Sequence, residues 1–312
     1  AGTVPGSGDR NGSGIASTAA FPGSSITLAV TKDITVHART DAVLASGGSS
    51  VTGNVGGNLS IQSAGTGLRS DNAPLTMTVS GGSAEIVTDG TAVSNAGTEG
   101  FLTLQGAEST RIYSAAGHAV QTTGNELKIY GTPYEGDAGD TISRALPDKS
   151  GSILIENGSA TESAVFESGS VSRRGEWISA GSVTVRNMSG ATAIISESGG
   201  IGISASDTAG TGVLVLNNSE RNPTIEVKRA EGDEERVGSV TLNGLAKRFT
   251  VRNENPAGYA VIAKDRARFS ILGRSPLPDV HIFGNLRTET YSSISIDMGN
   301  GEIRSDRIEI LD

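Results

Sequence analysis

The residues best suited to contact a ligand lie in the segment SVSRRGEW, where Arg173 and Arg174 precede Trp177, the sole tryptophan of the chain. Aromatic rings stack on the apolar faces of sugars, and guanidinium groups form paired hydrogen bonds with carboxylates. Tyr134 lies in an insertion at residues 131–151, and we expect this insertion and the arginine segment to leave the fold as neighbouring turns. Together these four residues predict a shallow binding site for an acidic glycan.

A structural interpretation of the same segment stays open. In that case Trp177 fills a widened turn, and the two arginines are solvated. The position of the indole discriminates between the two interpretations, because a ring that is fully buried in the interior cannot stack on a sugar.

Two acidic segments are candidates for Ca²⁺, which takes about six to eight oxygen ligands. EGDEE at residues 231–235 is more simply interpreted as a solvated, charged turn. DAGD at residues 137–140 matches neither a complete EF-hand loop nor a nonapeptide calcium repeat. We therefore predict no metal site and no cofactor, and leave calcium at these acidic turns as an open alternative.

No set of residues is typical of an active site. Inverting glycosidases use paired carboxylates, but the chain has no adjacent Asp-Asp pair and no Asp-centred catalytic motif. His37, His118 and His281 fall at unrelated places in the sequence pattern, so they form neither a shared metal site nor a nucleophile–base pair. We predict no catalytic residue and a non-enzymatic protein. A polysaccharide lyase or glycoside hydrolase acting on acidic polysaccharide is the alternative.

The elements that position these residues follow from an internal repeat of about 25 residues. Ile34, Leu59, Ala84 and Arg111 begin equivalent segments, and each is followed by two further short apolar segments. The alternation of apolar and polar residues predicts strands of about four to six residues, closed by Gly, Asn, Ser or Asp. No stretch has the i, i+3, i+4, i+7 spacing of a long amphipathic helix.

Equivalent residues of successive repeats form apolar columns, because only one side of each strand faces the interior. In the second strand the column consists of Val43, Leu68, Val93 and Val120, so that Val93 is expected to pack between Leu68 and Val120. The inward residues of the third strand are Met77, Val79, Leu102, Leu104, Leu127 and Ile129.

The pattern continues with longer turns through the rest of the chain. Further first strands are predicted at 151–158, 182–190, 212–219 and 248–255, second strands at 192–196, 224–228 and 259–263, and third strands at 201–205, 239–243 and 269–273. Three strands per repeat without a helix predict an all-β fold, a parallel β-helix (solenoid) of about nine coils. Asn187, Asn217 and Asn253 stand at matching strand ends, where we expect an internal ladder of amides bonded to turn backbones.

Composition agrees with a narrow interior. The chain has 43 glycines and only 4% aromatic residues, and is 36% hydrophobic, which suits stacked aliphatic columns linked by tight turns. Residues 1–25 are predicted to be a flexible Gly/Ser-rich tether and residues 26–312 a single β-helix domain. The final segment GEIRSDRIEILD alternates apolar and charged residues, and we expect its charges to discourage end-to-end stacking.

Charge and cysteine content exclude several classes of function. The net charge of −9 and the pI of about 5.0 disfavour nucleic acid as a partner, because phosphate binding needs a basic surface. The absence of cysteine excludes a disulfide framework and thiolate zinc sites. No apolar run reaches the length of a transmembrane segment.

The stretches GNLSIQSAGTGLRSDNAPLTM and TVSGGSAEIVTDGTAVSNAG resemble the glycine-rich repeats of bacterial cell-surface β-helix proteins. These include adhesin-like proteins, autotransporter passengers and gut-bacterial carbohydrate-binding repeat proteins, and more distantly the pectin-lyase-like fold. The resemblance covers residues 26–312 and implies a single-stranded, right-handed parallel β-helix. It also implies an extracellular or surface-anchored bacterial protein that binds a glycan or a host-cell ligand, or else serves as a passive stalk. Since one such fold carries many functions, function must be argued from the site.

Overall fold

The computed structural model describes residues 12–18, 23–133, 149–159, 161–169, 175–208, 212–233, 235–273 and 277–311. Every regular element in these ranges is a β-strand, and almost all neighbouring strands pair in parallel. The strands stack into a β-solenoid of about nine turns with three strands per coil. The predicted fold class is therefore confirmed.

The first face of the solenoid is a sheet of 10 parallel strands. Its strands are β3 (Ile34–Ala38), β6 (Leu59–Ser63), β9 (Ser83–Thr88), β11 (Ser109–Ser114), β14 (Ser152–Asn157), β17 (Ser182–Arg186), β19 (Val213–Asn217), β22 (Arg248–Asn253), β25 (Asp279–Phe283) and β28 (Asn300–Arg304). Their apolar residues alternate with polar ones as the sequence predicts, because successive side chains point to opposite sides of a strand.

The second and third faces form one 19-stranded sheet. The second face contains β1 (Ile15–Ser17), β4 (Val43–Ser46), β7 (Leu68–Asp71), β15 (Phe166–Gly169), β20 (Ile225–Val227), β23 (Tyr259–Ala263), β26 (Asn285–Glu289) and β29 (Ile308–Leu311). The third face contains β2 (Ser25–Val30), β5 (Ser50–Val55), β8 (Pro74–Val79), β16 (Gly175–Ala180), β21 (Gly238–Gly244), β24 (Arg268–Gly273) and β27 (Ser293–Ile296).

Three long strands run through the corner between these two faces and join them into one sheet. They are β10 (Val93–Ala107), β12 (Val120–Pro133) and β18 (Ile194–Ala205), where the sequence predicts two separate strands each. The two-residue strand β13 (Lys149–Ser150) pairs antiparallel with the end of β12. The extended strands therefore continue around this corner, where the pairing of β10 with β12 shifts register between Gly97 and Phe101.

The predicted columns are present in the interior. Val93 pairs with Leu68 on one side and with Val120 on the other, and all three side chains are fully buried. Full burial of such a side chain stabilises the fold by about 1.5–3 kcal/mol. Because each coil covers only its neighbours, this stabilisation depends on the stack and not on any coil alone.

One predicted alignment is wrong by one residue. Thr110, and not Arg111, pairs with Ala84 of the preceding coil. Arg111 consequently points outwards, where it forms ion pairs with Glu85 and Glu156. The physical reason is the cost of burying a guanidinium in an apolar interior.

The coil at residues 166–180 also differs from expectation. Trp177 was predicted in a long turn, but it lies in the middle of strand β16. Glu176 and Ile178 face the interior and are buried, while Trp177 is only half-buried. Because the inward residue Glu176 is charged, this segment lacks the alternation of apolar and polar residues that predicts a strand.

The corner that joins the first face to the second leaves no room for a side chain at Gly65 or Gly90. A Cβ on Gly65 would lie 2.6 Å from the Thr40 carbonyl oxygen, and one on Gly90 would lie 2.7 Å from the Gly65 carbonyl oxygen. Successive coils therefore touch backbone to backbone at this corner, which explains the glycines at positions 65, 90 and 117 of successive repeats.

The predicted asparagine ladder is confirmed, and it has one more member. Asn157, Asn187, Asn217 and Asn253 are buried at the ends of successive first-face strands. The Asn187 amide donates to the Thr192 carbonyl, and its Oδ1 accepts from the backbone N–H groups of the intervening turn. Each amide thus stabilises the turn that follows its strand, as asparagine does in Asx turns.

The N-terminal boundary was predicted at residue 26. Strand β1 (Ile15–Ser17) pairs with β4 and β2 starts at Ser25, so the solenoid includes part of the stretch predicted to be a tether. Residues 1–11 and 19–22 lie outside the described residues.

Candidate functional site

Of the four residues predicted to form the ligand site, only Trp177 lies in the described part of the chain. Tyr134, Arg173 and Arg174 lie outside the described residues. Trp177 is half-buried on the outward side of β16, between Lys128 of β12 and Gly202 of β18. The indole is therefore not sealed in the interior.

The surroundings of Trp177 are small and polar. A Cβ on Gly175 would lie 3.5 Å from the indole ring, so the ring lies close to bare backbone. Lys128 next to the indole forms an ion pair of 2.7 Å with Glu126. Tyr130 lies on the same strand as this ion pair, and burial together with the charge of Glu126 raises the pKa of Tyr130 to about 12. Lys128, Tyr130 and Trp177 therefore form a partly exposed patch on the outward side of the third face, which we call the tryptophan patch.

A concave site lies elsewhere, on the first face between β22 and β28. This groove has a volume of about 380 Å³. It is lined by Arg252, Asn253, Glu254, Pro256, Phe283, Gly284, Glu302, Arg304 and Asp306. We call it the Phe283 groove. None of these residues was predicted as a site residue.

Unequal turn lengths create the Phe283 groove. The chain passes from β25 to β26 through Gly284 alone, whereas residues 254–258 and residues 305–307 connect the equivalent strands of the two neighbouring coils. The two longer turns therefore rise on either side of a short one. The groove is the notch that remains between them.

The short connection requires glycine. Gly284 has φ +122°, and a Cβ there would lie 3.0–3.2 Å from backbone of Gly258 and Ala260 and from the Asn253 side chain. Only glycine adopts such a conformation without strain. The path of the chain next to Phe283 is consequently set by the backbone conformation of Gly284.

Phe283 forms the aromatic centre of the groove. Arg252, Phe283 and Arg304 occupy one outward column on three successive coils. The guanidinium carbons of Arg252 and Arg304 lie 5.5 Å and 5.8 Å from the centroid of the Phe283 ring. The His281 ring stacks beside it with a centroid distance of 6.1 Å. Each such cation–π contact stabilises by about 0.5–1 kcal/mol at an exposed site.

The charges of the groove are mixed. Arg304 is held by a short hydrogen bond to Glu302. Arg252 is exposed and has no ion-pair partner among the described residues, and the same holds for Glu254 and Asp306. The groove therefore offers one unpaired guanidinium and two unpaired carboxylates, and its net charge is slightly negative. This arrangement suits hydroxyl groups better than a strongly anionic ligand.

The acidic turns do not form a metal site within the described ranges, where no group of three or more His, Asp or Glu side chains converges. In the segment EGDEE, Asp233 is held by an ion pair of 2.8 Å to Arg236. The segment DAGD at 137–140 lies outside the described residues.

Among the described carboxyl groups, Glu176 has the pKa that is shifted furthest from its ordinary value, but its side chain belongs to the interior. It is fully buried between Leu127 and Ile201, and neither of its carboxylate oxygens has a well-formed hydrogen bond. Burial raises the pKa of Glu176 to about 8, and the nearby Ser168 hydroxyl lowers it by less. The group is shielded from solvent, so it cannot act on an external substrate.

Comparison of the sequence with protein-family models found no match, and comparisons with curated proteins and with solved structures found none either. Within the described residues no helix has the length and apolar character needed to cross a membrane. Function is therefore inferred from the geometry of the site.

Proposed function

We propose that this protein is a non-enzymatic β-helix, displayed at a bacterial surface, that binds a glycan in the Phe283 groove. The single observation that carries the proposal is a rigid notch with an aromatic floor and hydrogen-bonding groups on both walls. The resemblance of its repeats to surface adhesins supports the proposed location.

The aromatic floor supports a sugar ligand. Phe283 is half-buried, so part of its ring faces the groove while two arginines fix its orientation. Pyranose rings carry axial C–H groups that pack on an aromatic surface, and little conformational entropy is lost because Phe283 is already held.

The polar walls support a ligand rich in hydroxyl groups. Glu254 and Asp306 each provide carboxylate oxygens that accept from hydroxyls, and Arg252 donates to hydroxyl or carbonyl oxygens. Because the groove contains more carboxylates than unpaired cations, we propose a neutral glycan rather than the acidic glycan suggested by the arginine segment. Its affinity is expected to be weak and raised by multivalent display.

The experiment is a glycan array followed by calorimetric titration of the best ligand. Phe283→Ala should weaken binding at least about tenfold, equivalent to about 1.4 kcal/mol. Tyr113→Ala is the matched control, because Arg111 lies 5.2 Å from the Tyr113 ring on the same face in the regular coils. That control should bind like the parent protein.

Three outcomes would contradict the proposal. Loss of binding in Trp177→Ala but not in Phe283→Ala would move the site to the tryptophan patch. No binding on the array would favour a passive stalk. Release of reducing sugar or unsaturated product by the purified protein would show that it is an enzyme.

A further inference from the structure

Two segments with the same sequence, TVRN, lie on the first face at residues 184–187 and 250–253. The segment LVLN at residues 214–217 lies on the strand between them, and HIFG at residues 281–284 lies on the strand that follows. The four strands pair in register, so the first residues of the segments form one outward column and the third residues form another. The outer surface of the first face therefore alternates between polar and apolar from one coil to the next.

Strand β19 presents two leucines on this outer surface, where the strands on both sides present threonine and arginine. Leu214 and Leu216 are half-buried, and their Cα atoms lie roughly 7 Å apart because alternate residues of a strand share one side. We call this pair the leucine platform. Both side chains point away from the interior, so packing of the core does not account for them.

Hydrogen-bonding groups border the leucine platform on both sides. Thr184 and Arg186 pair with the two leucines from one side, and Thr250 and Arg252 pair with them from the other. Arg186 is held in place by a hydrogen bond to Glu156. Hydroxyl groups donate and accept, and guanidinium groups donate. The platform therefore suits a ligand that has an apolar ring face and hydroxyl groups along its edges.

The Phe283 groove repeats this arrangement two coils further along the stack. His281 and Phe283 occupy the two outward positions that the leucines occupy on β19, and Thr250 and Arg252 lie between the two pairs. Arg252 is also the residue whose guanidinium carbon lies 5.5 Å from the centroid of the Phe283 ring. Two strand spacings, roughly 10 Å, separate the apolar surfaces. Both surfaces therefore lie on one line parallel to the axis of the solenoid.

We propose that the ligand is a linear, neutral, β-1,4-linked glycan that lies along the solenoid axis and contacts the Phe283 groove and the leucine platform together. This inference rests on the proposed function of the Phe283 groove. Equatorial linkages keep such a chain extended, so that C–H faces of separate pyranose rings pack on both apolar surfaces. The hydroxyl groups between these rings reach Thr250 and Arg252. An α-1,4-linked chain curves away from a straight row and does not contact both surfaces.

Calorimetric titration with cello-, manno- and chito-oligosaccharides tests the proposal. In at least one series the hexasaccharide should bind at least about tenfold more tightly than the disaccharide, because only the longer chain reaches both surfaces. Leu214→Thr combined with Leu216→Thr should abolish this gain and leave binding of the disaccharide unchanged. Threonine matches the neighbouring strands and suits a β-strand. Val87→Thr is the control, since Val87 is half-buried on the outer side of β9, and it should keep the gain.

The chain length separates this proposal from the function of the groove itself. Phe283→Ala should weaken binding of both lengths, and malto-oligosaccharides should show no gain with length. A hexasaccharide that binds no more tightly than the disaccharide would overturn the proposal and leave the Phe283 groove as a binding site. A gain that survives the double leucine variant, with circular dichroism showing the variant folded, would overturn it as well. No binding at either length in any series would contradict the proposed function and this proposal with it.

Discussion

The corner that follows each first-face strand is closed differently in the early coils and in the later coils. Residues 64–67 and residues 89–92 form short turns in the early coils, where Ser63 and Thr88 close the corner through their hydroxyl groups. In the later coils residues 187–193 and residues 218–224 form longer turns, which are closed by buried asparagines.

The two ways of closing the corner explain how a solenoid accommodates turns of different length while its strands stay in register. A hydroxyl group reaches only the adjacent backbone, whereas an amide both donates and accepts, and reaches across a longer turn. Once the strand end is fixed, the turn length no longer affects the columns. Turns of unequal length on adjacent coils then leave notches in the surface, and the Phe283 groove is one of them.

The interiors of the two regions differ as well. In the early coils the inward column of the third face is apolar, with Val51, Leu75, Leu102 and Leu127. The next residue in that column is Glu176, which is tolerated because its raised pKa keeps it largely protonated at neutral pH. The buried carboxyl group of Glu176 therefore lowers the stability of its coil. The early coils avoid this cost because the same column is apolar there.

The greatest loss of stability should follow from placing a carboxyl group in the interior of the early coils. Val93→Asp should destabilise the protein by on the order of 5 kcal/mol or more, because it adds the lost packing of Val93 to the burial of a carboxyl group between Leu68 and Val120. Thermal unfolding measures the effect, and neighbouring coils should open together with the substituted one.

The matched control for this prediction is Val93→Ala, which removes packing without adding a polar group and should cost about 1–3 kcal/mol. An unchanged melting temperature for Val93→Asp would contradict the register reported for β7, β10 and β12. A cost no greater than that of Val93→Ala would show that the early coils tolerate a carboxyl group as well as the later ones do.

The second effect is a pH dependence that Glu176 confers on stability. Between its ordinary pKa of 4.5 and its folded pKa of about 8, the folded state holds a proton that the unfolded state has released. The contribution of Glu176 to stability is therefore lost progressively as pH rises through this window, by about 5 kcal/mol in total. Below pH 4.5 both states are protonated, and above about pH 8 both are ionised.

Denaturant unfolding of the parent protein and of Glu176→Gln from pH 4 to pH 9 measures this contribution, because the difference between the two curves isolates one group. Glu176→Gln should gain stability relative to the parent as pH rises. Glu85→Gln is a suitable control, since this carboxylate is partly exposed and its partner Arg111 stays charged over the whole range. Parallel curves for the parent and Glu176→Gln would show that Glu176 is ionised or solvated in the folded state.

The fold could be predicted from the sequence because the repeat period and the alternation of apolar and polar residues can be seen in individual strands. Val43, Leu68, Val93 and Val120 could be aligned without knowing any turn. The groove could not be predicted, because Arg252, Phe283 and Arg304 converge only when three strands separated by unequal turns are in register. The aligned segments TVRN, HIFG and EIRS contain this column, but only the single-residue connection at Gly284 turns it into a groove.

The smallest losses of stability are expected for the residues that close the corner after a first-face strand, Asn187 in a later coil and Thr88 in an early coil. Asn187→Ala removes one donor and one acceptor that together bond to Thr192, Ser189 and Gly190, and should cost about 2–3 kcal/mol because part of the turn can rehydrate. Thr88→Ala removes one hydroxyl donor, which bonds at 2.8 Å to the Gly90 carbonyl and more weakly, at 3.5 Å, to the Tyr113 carbonyl, and should cost about 1 kcal/mol.

Asn187→Ser decides whether the amide is needed because of the length of the turn. A serine hydroxyl closes the equivalent corner in the early coils but cannot span residues 187–193, so this variant should recover little of the loss in thermal unfolding. If Asn187→Ser is as stable as the parent protein, the hydroxyl is sufficient there. The difference between the two regions would then have no energetic basis in the reach of the side chain.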